Sequence, residues 1–236
     1  MRFKTILKLF DEGNVCVFGK KGRGKDLLFG NVIQRRSLPY CSNIDYGGNF
    51  YNFDYNSIDC GTNTYKDFIS GNVKYYSFPY PDGTDIYLSD CGIYFPAQFC
   101  NELNKQYLYM SVFQAISRHV GLCNFHVNAQ ALNRVWDKIR EQSDIYILCR
   151  RCFYFHGLVF QWITTYDRYD AAVSMMKPLH LPKPLISNRE LRLQRSIQVA
   201  QFEAAHGTIT NGLLIYRNKS SYDTRYFKKL LEEGSK

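Results

Sequence analysis

The apolar run Val15-Cys16-Val17-Phe18 empties into Gly19-Lys20-Lys21-Gly22-Arg23-Gly24-Lys25, followed by Asp26-Leu27-Leu28-Phe29. This strand, glycine turn and helix start constrain the fold more than any other stretch of the chain. A phosphate group needs a loop whose backbone N–H groups point inward. Glycine permits that shape because it accepts positive φ, and the following helix adds the partial positive charge of its N-terminus. Gly19, Gly24 and Lys25 meet the spacing G-x-x-x-x-G-K, so the segment reads as a nucleoside-triphosphate P-loop with Gly19, Lys20, Gly22, Arg23, Gly24, Lys25, Asp26 and Leu27 around the phosphates. One position departs from the pattern. Asp26 stands where the motif calls for a Ser or Thr hydroxyl that ligates Mg²⁺, and a carboxylate there could hold the metal but brings negative charge near the phosphates. The competing reading is a basic surface turn with solvated Lys20, Lys21, Arg23 and Lys25; it explains Asp26 and leaves the glycine spacing without a cause.

A chain of 236 residues can build one large α/β domain, or a main domain with a small appendage, and the second is expected here. The formal charge of +9 and the pI of 9.1 suit an anionic partner, and the 16% aromatic content supplies rings on which bases could stack. The same rings could equally serve a core. Eight cysteines without a leading signal peptide suggest a reducing compartment and free thiols. Cys149-Arg150-Arg151-Cys152 is the one close pair, and it lies in a segment that reads as strand. Residues three apart on a regular strand face opposite sides, so these thiols are expected not to converge on a metal. His119 and His126 are read as structural or polar-surface histidines rather than ligands. No stretch is long and apolar enough to span a bilayer.

The first ten residues alternate basic and apolar positions and read as a short lead-in to the turn at Asp11-Glu12-Gly13-Asn14. Pro39 ends the P-loop helix, and a strand is expected over 40–46. Residues 47–85 read as a long, partly irregular insertion, either a lid or a loop for a partner. The segment Asp85-Ile86-Tyr87-Leu88-Ser89-Asp90 then reads as a strand ending in an acidic residue. A carboxylate at the end of a neighbouring parallel strand is where a P-loop enzyme holds Mg²⁺, which makes Asp90 the candidate. The following position, where many such ATPases carry a glutamate that polarises water, is Cys91. A helix over 103–119, a strand over 123–128, a helix over 132–141, and strands 145–155 and 158–166 meeting at His156-Gly157 complete an alternation that argues for a parallel sheet. Lys177 to Pro184 is proline-rich, and Ser187 with Glu190 forms a capping box for a helix to Ala205.

The loop at 19–25, the acidic strand end at Asp90 followed by Tyr94-Phe95-Pro96, then Ser117-Arg118-His119-Val120-Gly121, Gln130 and the Arg140 helix together resemble one family. The chain is similar over residues 14–170 to the zonula occludens toxin-like assembly ATPases of filamentous phages, within the wider FtsK/HerA class of P-loop NTPases. The resemblance implies an ATP- and Mg²⁺-dependent, ring-forming motor for phage single-stranded DNA export or packaging and virion assembly. It would work with other phage assembly proteins in the host cytoplasm or at the inner membrane, where familiar members carry a membrane segment and this chain would dock on a membrane-protein partner. It assigns Lys25 to the β- and γ-phosphates, Asp90 and Asp26 to the metal, and Gln130 to a position beside the γ-phosphate. Arg118, with Arg140 second, is the candidate for a guanidinium supplied to a neighbouring subunit. Asp26 and Cys91 are the two departures.

The expected architecture is therefore α/β, a P-loop NTPase with a mostly parallel central sheet flanked by helices, an edge hairpin and a C-terminal helical appendage. The domain boundaries expected are 1–176 for the NTPase, 177–186 for a linker and 187–236 for a helix and basic tail. Two other functions fit the same loop: a nucleotide-binding scaffold whose hydrolysis is weak or lost, and a small-molecule kinase.

Overall fold

The computed structural model describes residues 1–54, 69–72, 79–91, 114, 124–132, 135, 137–167, 197 and 209–220. Its elements run α1 (Phe3–Glu12), β1 (Val15–Phe18), α2 (Lys25–Arg36), β2 (Tyr40–Ser42), β3 (Phe50–Asn52), β4 (Asp85–Leu88), β5 (Phe125–Ala129), α3 (Asp137–Glu141), β6 (Ile145–Phe155), β7 (Leu158–Tyr166) and β8 (Ile209–Arg217). All strands join one eight-stranded sheet in the order β3-β2-β4-β5-β1-β6-β7-β8. The pairs from β3 across to β6 are parallel, and β6-β7 and β7-β8 are antiparallel. This is the mixed α/β, mostly parallel architecture expected, with the P-loop strand β1 buried in the middle of the sheet.

β1, β4 and β5 are buried along their whole length on both faces, as strands covered on two sides must be, and β1 is an unbroken apolar run. On one face Val15, Val17, Ile147, Val159, Ile163, Leu214 and Tyr216 pack with Ile6 and Phe10 of α1 and Leu28, Phe29, Val32 and Ile33 of α2. Phe18 points the other way, with its ring 6.4 Å from that of Tyr166.

The first residues are more than a lead-in. They form α1, because Ile6 and Phe10, one turn apart, reach the core while Lys4 and Lys8 stay on the outer side. The Phe10 ring meets His126 at 4.8 Å, and His126 in turn accepts from the amide of Val15 at Nδ1, so this histidine is structural. A buried ion pair closes the far end of the sheet. Arg36, at the last turn of α2, pairs through Nη1 with Asp85 at the start of β4 and lies 3.0 Å through Nε from Asp11.

The hairpin turns at His156 and Gly157, both at positive φ (46° and 78°), the two-residue geometry whose twist matches the strands. It lies beyond the parallel part of the sheet, and β8 pairs along the whole of β7, which the sequence reading did not anticipate. The helices expected over 103–119 and 187–205, the linker at 177–186, and the motif residues 94–96 and 117–121, Arg118 and His119 included, lie outside the described residues. Among the described residues, no helix is long and apolar enough to cross a membrane.

Candidate functional site

Gly19, Gly22 and Gly24 all adopt positive φ (149°, 75° and 78°), so the loop takes the backbone shape that its glycines permit. Two of them also have no room for a side chain. A Cβ on Gly19 would strike the carbonyl oxygen of Cys149, and one on Gly24 would stand 2.7 Å from Sγ of Cys152. Gly24 caps α2 in the left-handed conformation, and the first helical bond runs from the amide of Leu28 to the carbonyl of Gly24 at 2.9 Å. The amides of Lys25, Asp26 and Leu27 thus have no helical acceptor, which makes the turn an anion-binding end. Lys20 and Lys21 are exposed and Arg23 is half-buried, whereas Lys25 is buried with no ion pair among the described residues. A buried ammonium in no direct ion pair is costly, and phosphate is the ligand that would offset it.

The carboxylates expected at the site do converge there. Asp90 follows β4 in a turn at φ 49°; burial, and then the charge of Asp26, raise its pKa, while Lys25 and Lys21 oppose the shift. Its backbone amide donates to Asn128 Oδ1 at 2.8 Å, and its carboxylate makes no hydrogen bond among the described residues. Asp26 uses Oδ1 to accept from Asn128 Nδ2 at 2.8 Å and from the Tyr46 hydroxyl at 3.2 Å, leaving Oδ2 without a donor among the described residues. Two carboxylates that share Asn128 as a partner, each with an oxygen to spare beside a buried lysine, fit a hard divalent cation.

The strand bearing Asp90 is not adjacent to β1. β5 lies between them, and this is what brings in a residue that sequence reasoning missed. Asn128, buried near the end of β5, bonds Asp26, the amide of Asp90 and the Ser89 hydroxyl, the last at 3.1 Å. Ser89 also meets the Tyr46 hydroxyl, and its backbone is clasped on the other side by the Asn43 carboxamide at 2.8 and 2.9 Å. Asn128 of β5 and Asn43, just past the end of β2, thus hold the turn that presents Asp90. An Asn in an otherwise apolar strand, Phe125-His126-Val127-Asn128-Ala129, was the available signal, since a buried carboxamide needs partners.

Gln130 lies immediately after β5 and is exposed, beside the loop end where the amide of Gly19 donates to the carbonyl of Ala129 at 3.2 Å. Arg140 donates from Nη1 to the carbonyl of Leu132 at 3.1 Å, which commits part of its guanidinium within the chain. Cys91 is fully buried.

The pairing of Cys149 and Cys152 corrects the sequence reading. A β-bulge shifts the register between Cys149, opposite Ile163, and Arg151, opposite Trp162, so the extra residue Arg150 resets the alternation. Both sulfurs then face the P-loop: Cys149 Sγ is 3.3 Å from Gln161 Nε2, and Cys152 abuts Gly24. No group of three or more metal-ligating side chains occurs among the described residues. Burial pushes the Cys149 thiol up to about 12 and also raises that of Cys152, so both serve as packing groups against the loop.

No family model matches the sequence, and no curated protein matches it. Among solved structures, the chain is similar to the N-terminal domain of zonular occludens toxin from Neisseria meningitidis, at 11% identity, covering 92% of this chain and 97% of that one with a TM-score of 0.44. It is also similar to the genome packaging NTPase B204 of Sulfolobus turreted icosahedral virus 2 bound to ATP-gammaS (16% identity, 88% and 93% covered, TM-score 0.36). A third likeness is to EssC ATPases 2 and 3 from Geobacillus thermodenitrificans (11% identity, 96% and 44% covered, TM-score 0.41). At TM-scores of 0.36 to 0.44 these likenesses are loose, and the fold stands on the strand order and loop geometry of this chain itself.

Proposed function

We propose that this chain is an ATP-driven motor that moves phage single-stranded DNA during export or packaging, as one subunit of a homo-oligomeric ring in virion assembly. The observation that carries the reading is the meeting of a glycine-shaped loop, the buried Lys25, and the carboxylates of Asp90 and Asp26 at the C-terminal edge of a parallel sheet. Ligands of such sheets bind at that edge. In this reading the loop amides and Lys25 hold the β- and γ-phosphates, and Asp90 with Oδ2 of Asp26 holds Mg²⁺. Bound Mg²⁺-ATP supplies the phosphoryl group and the metal charge that offsets negative charge in its transfer.

Each residue then has a bounded task. Lys25 binds and orients, and burial keeps its charge undiluted by water. Asn128 fixes Asp26 and Asp90 relative to each other. Gln130 orients the attacking water through its carboxamide, which suffices where transfer through a loose transition state needs little base strength. Arg118 is the proposed guanidinium for a neighbouring active site, which would couple turnover to ring formation. Other phage assembly proteins, and a membrane protein at the host inner membrane, are the proposed partners. Steady-state ATP turnover with and without single-stranded DNA tests the reading; turnover stimulated by DNA supports it.

A nucleotide-binding assembly scaffold is the second reading, and specific contacts favour it. Asp26 Oδ1 is already occupied by two donors, and a fully buried thiol stands at Cys91 where a water-polarising carboxylate would help. ATP binding without turnover is its signature.

A further inference from the structure

The β6-β7-β8 extension has two different faces. β6 runs level with β1 only as far as Leu148, opposite Phe18, so residues 149–155 and the matching part of β7 project past the sheet beside the P-loop. Their inner face grips that loop through Cys149, Cys152 and Gln161. Their outer face carries three cross-strand rows: Arg151, Trp162 and Leu213; Phe153, Phe160 and Ile215; Phe155, Leu158 and Arg217.

That outer face is apolar yet in water. Phe153 is 47% exposed, Phe155 58%, Trp162 37% and Ile215 52%. The rings are already arranged as a platform, with Phe153 stacked on Phe160 at 4.7 Å and 6° and the Trp162 ring 5.5 Å from Phe153. Beside them Arg150, Arg151 and Arg217 are exposed, and no Asp or Glu occurs in residues 145–166 or 209–217. A patch of rings whose charged neighbours on its own three strands are all cationic fits a polymer that carries flat unpaired π-faces along an anionic backbone. Duplex DNA hides its base faces, and a protein partner would match this face only with an apolar centre bordered by carboxylates.

We infer that the outer face of β6-β7-β8 is a docking surface for single-stranded nucleic acid, with bases stacking on Phe153, Phe160 and Trp162 and phosphates meeting Arg151 and Arg217. The inference rests on the DNA-motor reading for the class of polymer and adds the place where it binds. Sequence preference is absent, because every base offers a π-face and none of these side chains reads a base edge. Binding here sits on the reverse side of the strands that brace Gly24, within one sheet thickness of the nucleotide loop.

Fluorescence anisotropy of labelled oligo(dT) with the full chain at low salt tests the surface, using Phe153→Ala with Trp162→Ala, and Arg151→Ala separately. The ring variant should bind oligo(dT) at least about fivefold more weakly, as loss of stacking at about 1 kcal/mol or more implies. Its ATP affinity should stay unchanged, which also reports that it has folded. In the wild type, oligo(dT) should quench tryptophan emission, and Trp162→Phe should remove most of that quench. Wild-type binding that all three variants leave intact overturns this surface and leaves the motor reading standing. No oligo(dT) binding by the wild type at low salt overturns both. Concentration-dependent self-association that the ring variant abolishes, with DNA binding unchanged, would make the face a contact between copies and overturn the inference. Equal affinity for duplex DNA would overturn it as well.

Discussion

Gln161 Nε2 lies 3.0 Å from the carbonyl oxygen of Gly24 and 3.2 Å from that of Arg23, so a side chain on β7 holds the end of the P-loop from the adjacent hairpin. Its own Oε1 accepts from the buried Tyr216 hydroxyl of β8 at 2.8 Å. The loop that the proposed function has present its amides to phosphate is thereby tied by its carbonyls. Gln161→Leu removes both bonds and leaves a buried hydroxyl without an acceptor, so stability should fall by about 1–3 kcal/mol in denaturant titration. ATP affinity should fall with it, by roughly tenfold, or about 1.4 kcal/mol, in calorimetry. Unchanged affinity would mean that the loop keeps its shape without the brace.

Lys25→Ala removes the buried ammonium at the start of α2. ATP affinity should drop at least about tenfold, roughly 1.4 kcal/mol, with some binding left because the other donors are backbone amides. The stability of the protein itself should change little, since the gain from not burying an ammonium is offset by losing the charge that Lys25 sets against Asp90. Calorimetric titration with ATP and thermal melting of the apo protein check the two halves separately.

The pair Arg36–Asp85 yields a pH-dependent prediction. Burial raises the Asp85 carboxyl to about 6 from 3.8, with Arg36 opposing the shift. A folded-state pKa above the unfolded value gives a contribution fully present below pH 3.8 and lost as pH rises through about 6. Arg36→Met removes the opposing charge and strands the carboxylate, so it should cost about 3 kcal/mol near pH 8. The cost should shrink markedly near pH 4, where protonation neutralises Asp85. Denaturant titrations at the two pH values check this, and equal losses at both would show that Arg36 acts by packing.

In the motor reading, Gln130→Ala should abolish turnover and leave ATP binding intact, the signature of a residue that orients water only. Asn128→Ala should also lower turnover, because it frees Asp26 and the turn carrying Asp90. Cys91→Glu looks from sequence like a rescue of hydrolysis. The position is fully buried, so the introduced carboxylate should instead destabilise the fold by about 3 kcal/mol.

What could be read from the sequence was local. β1, the loop, α2, β4, β5 and the hairpin each carry a run, a glycine or a turn dipeptide that specifies them within a few residues. α1 was missed because its basic positions suggested a surface lead-in, although Phe3, Ile6, Leu7 and Phe10 recur at helical spacing. β8 escaped notice because its nine residues matter only through pairing with β7, at a distance no local pattern encodes. The thiol pair was misplaced by one residue of register: a bulge at Arg150 turns a spacing of three into a shared face. Asn128, Ser89 and Tyr46 were invisible as a cluster because they come from β5, the turn after β4 and the segment after β2, and only the sheet order unites them.

The most direct measurement is steady-state ATP turnover by the full wild-type chain with Mg²⁺, in the presence and absence of single-stranded DNA, beside Lys25→Ala. The motor account predicts turnover that DNA stimulates and that Lys25→Ala abolishes. A wild-type chain that binds ATP but turns none over under either condition would contradict it.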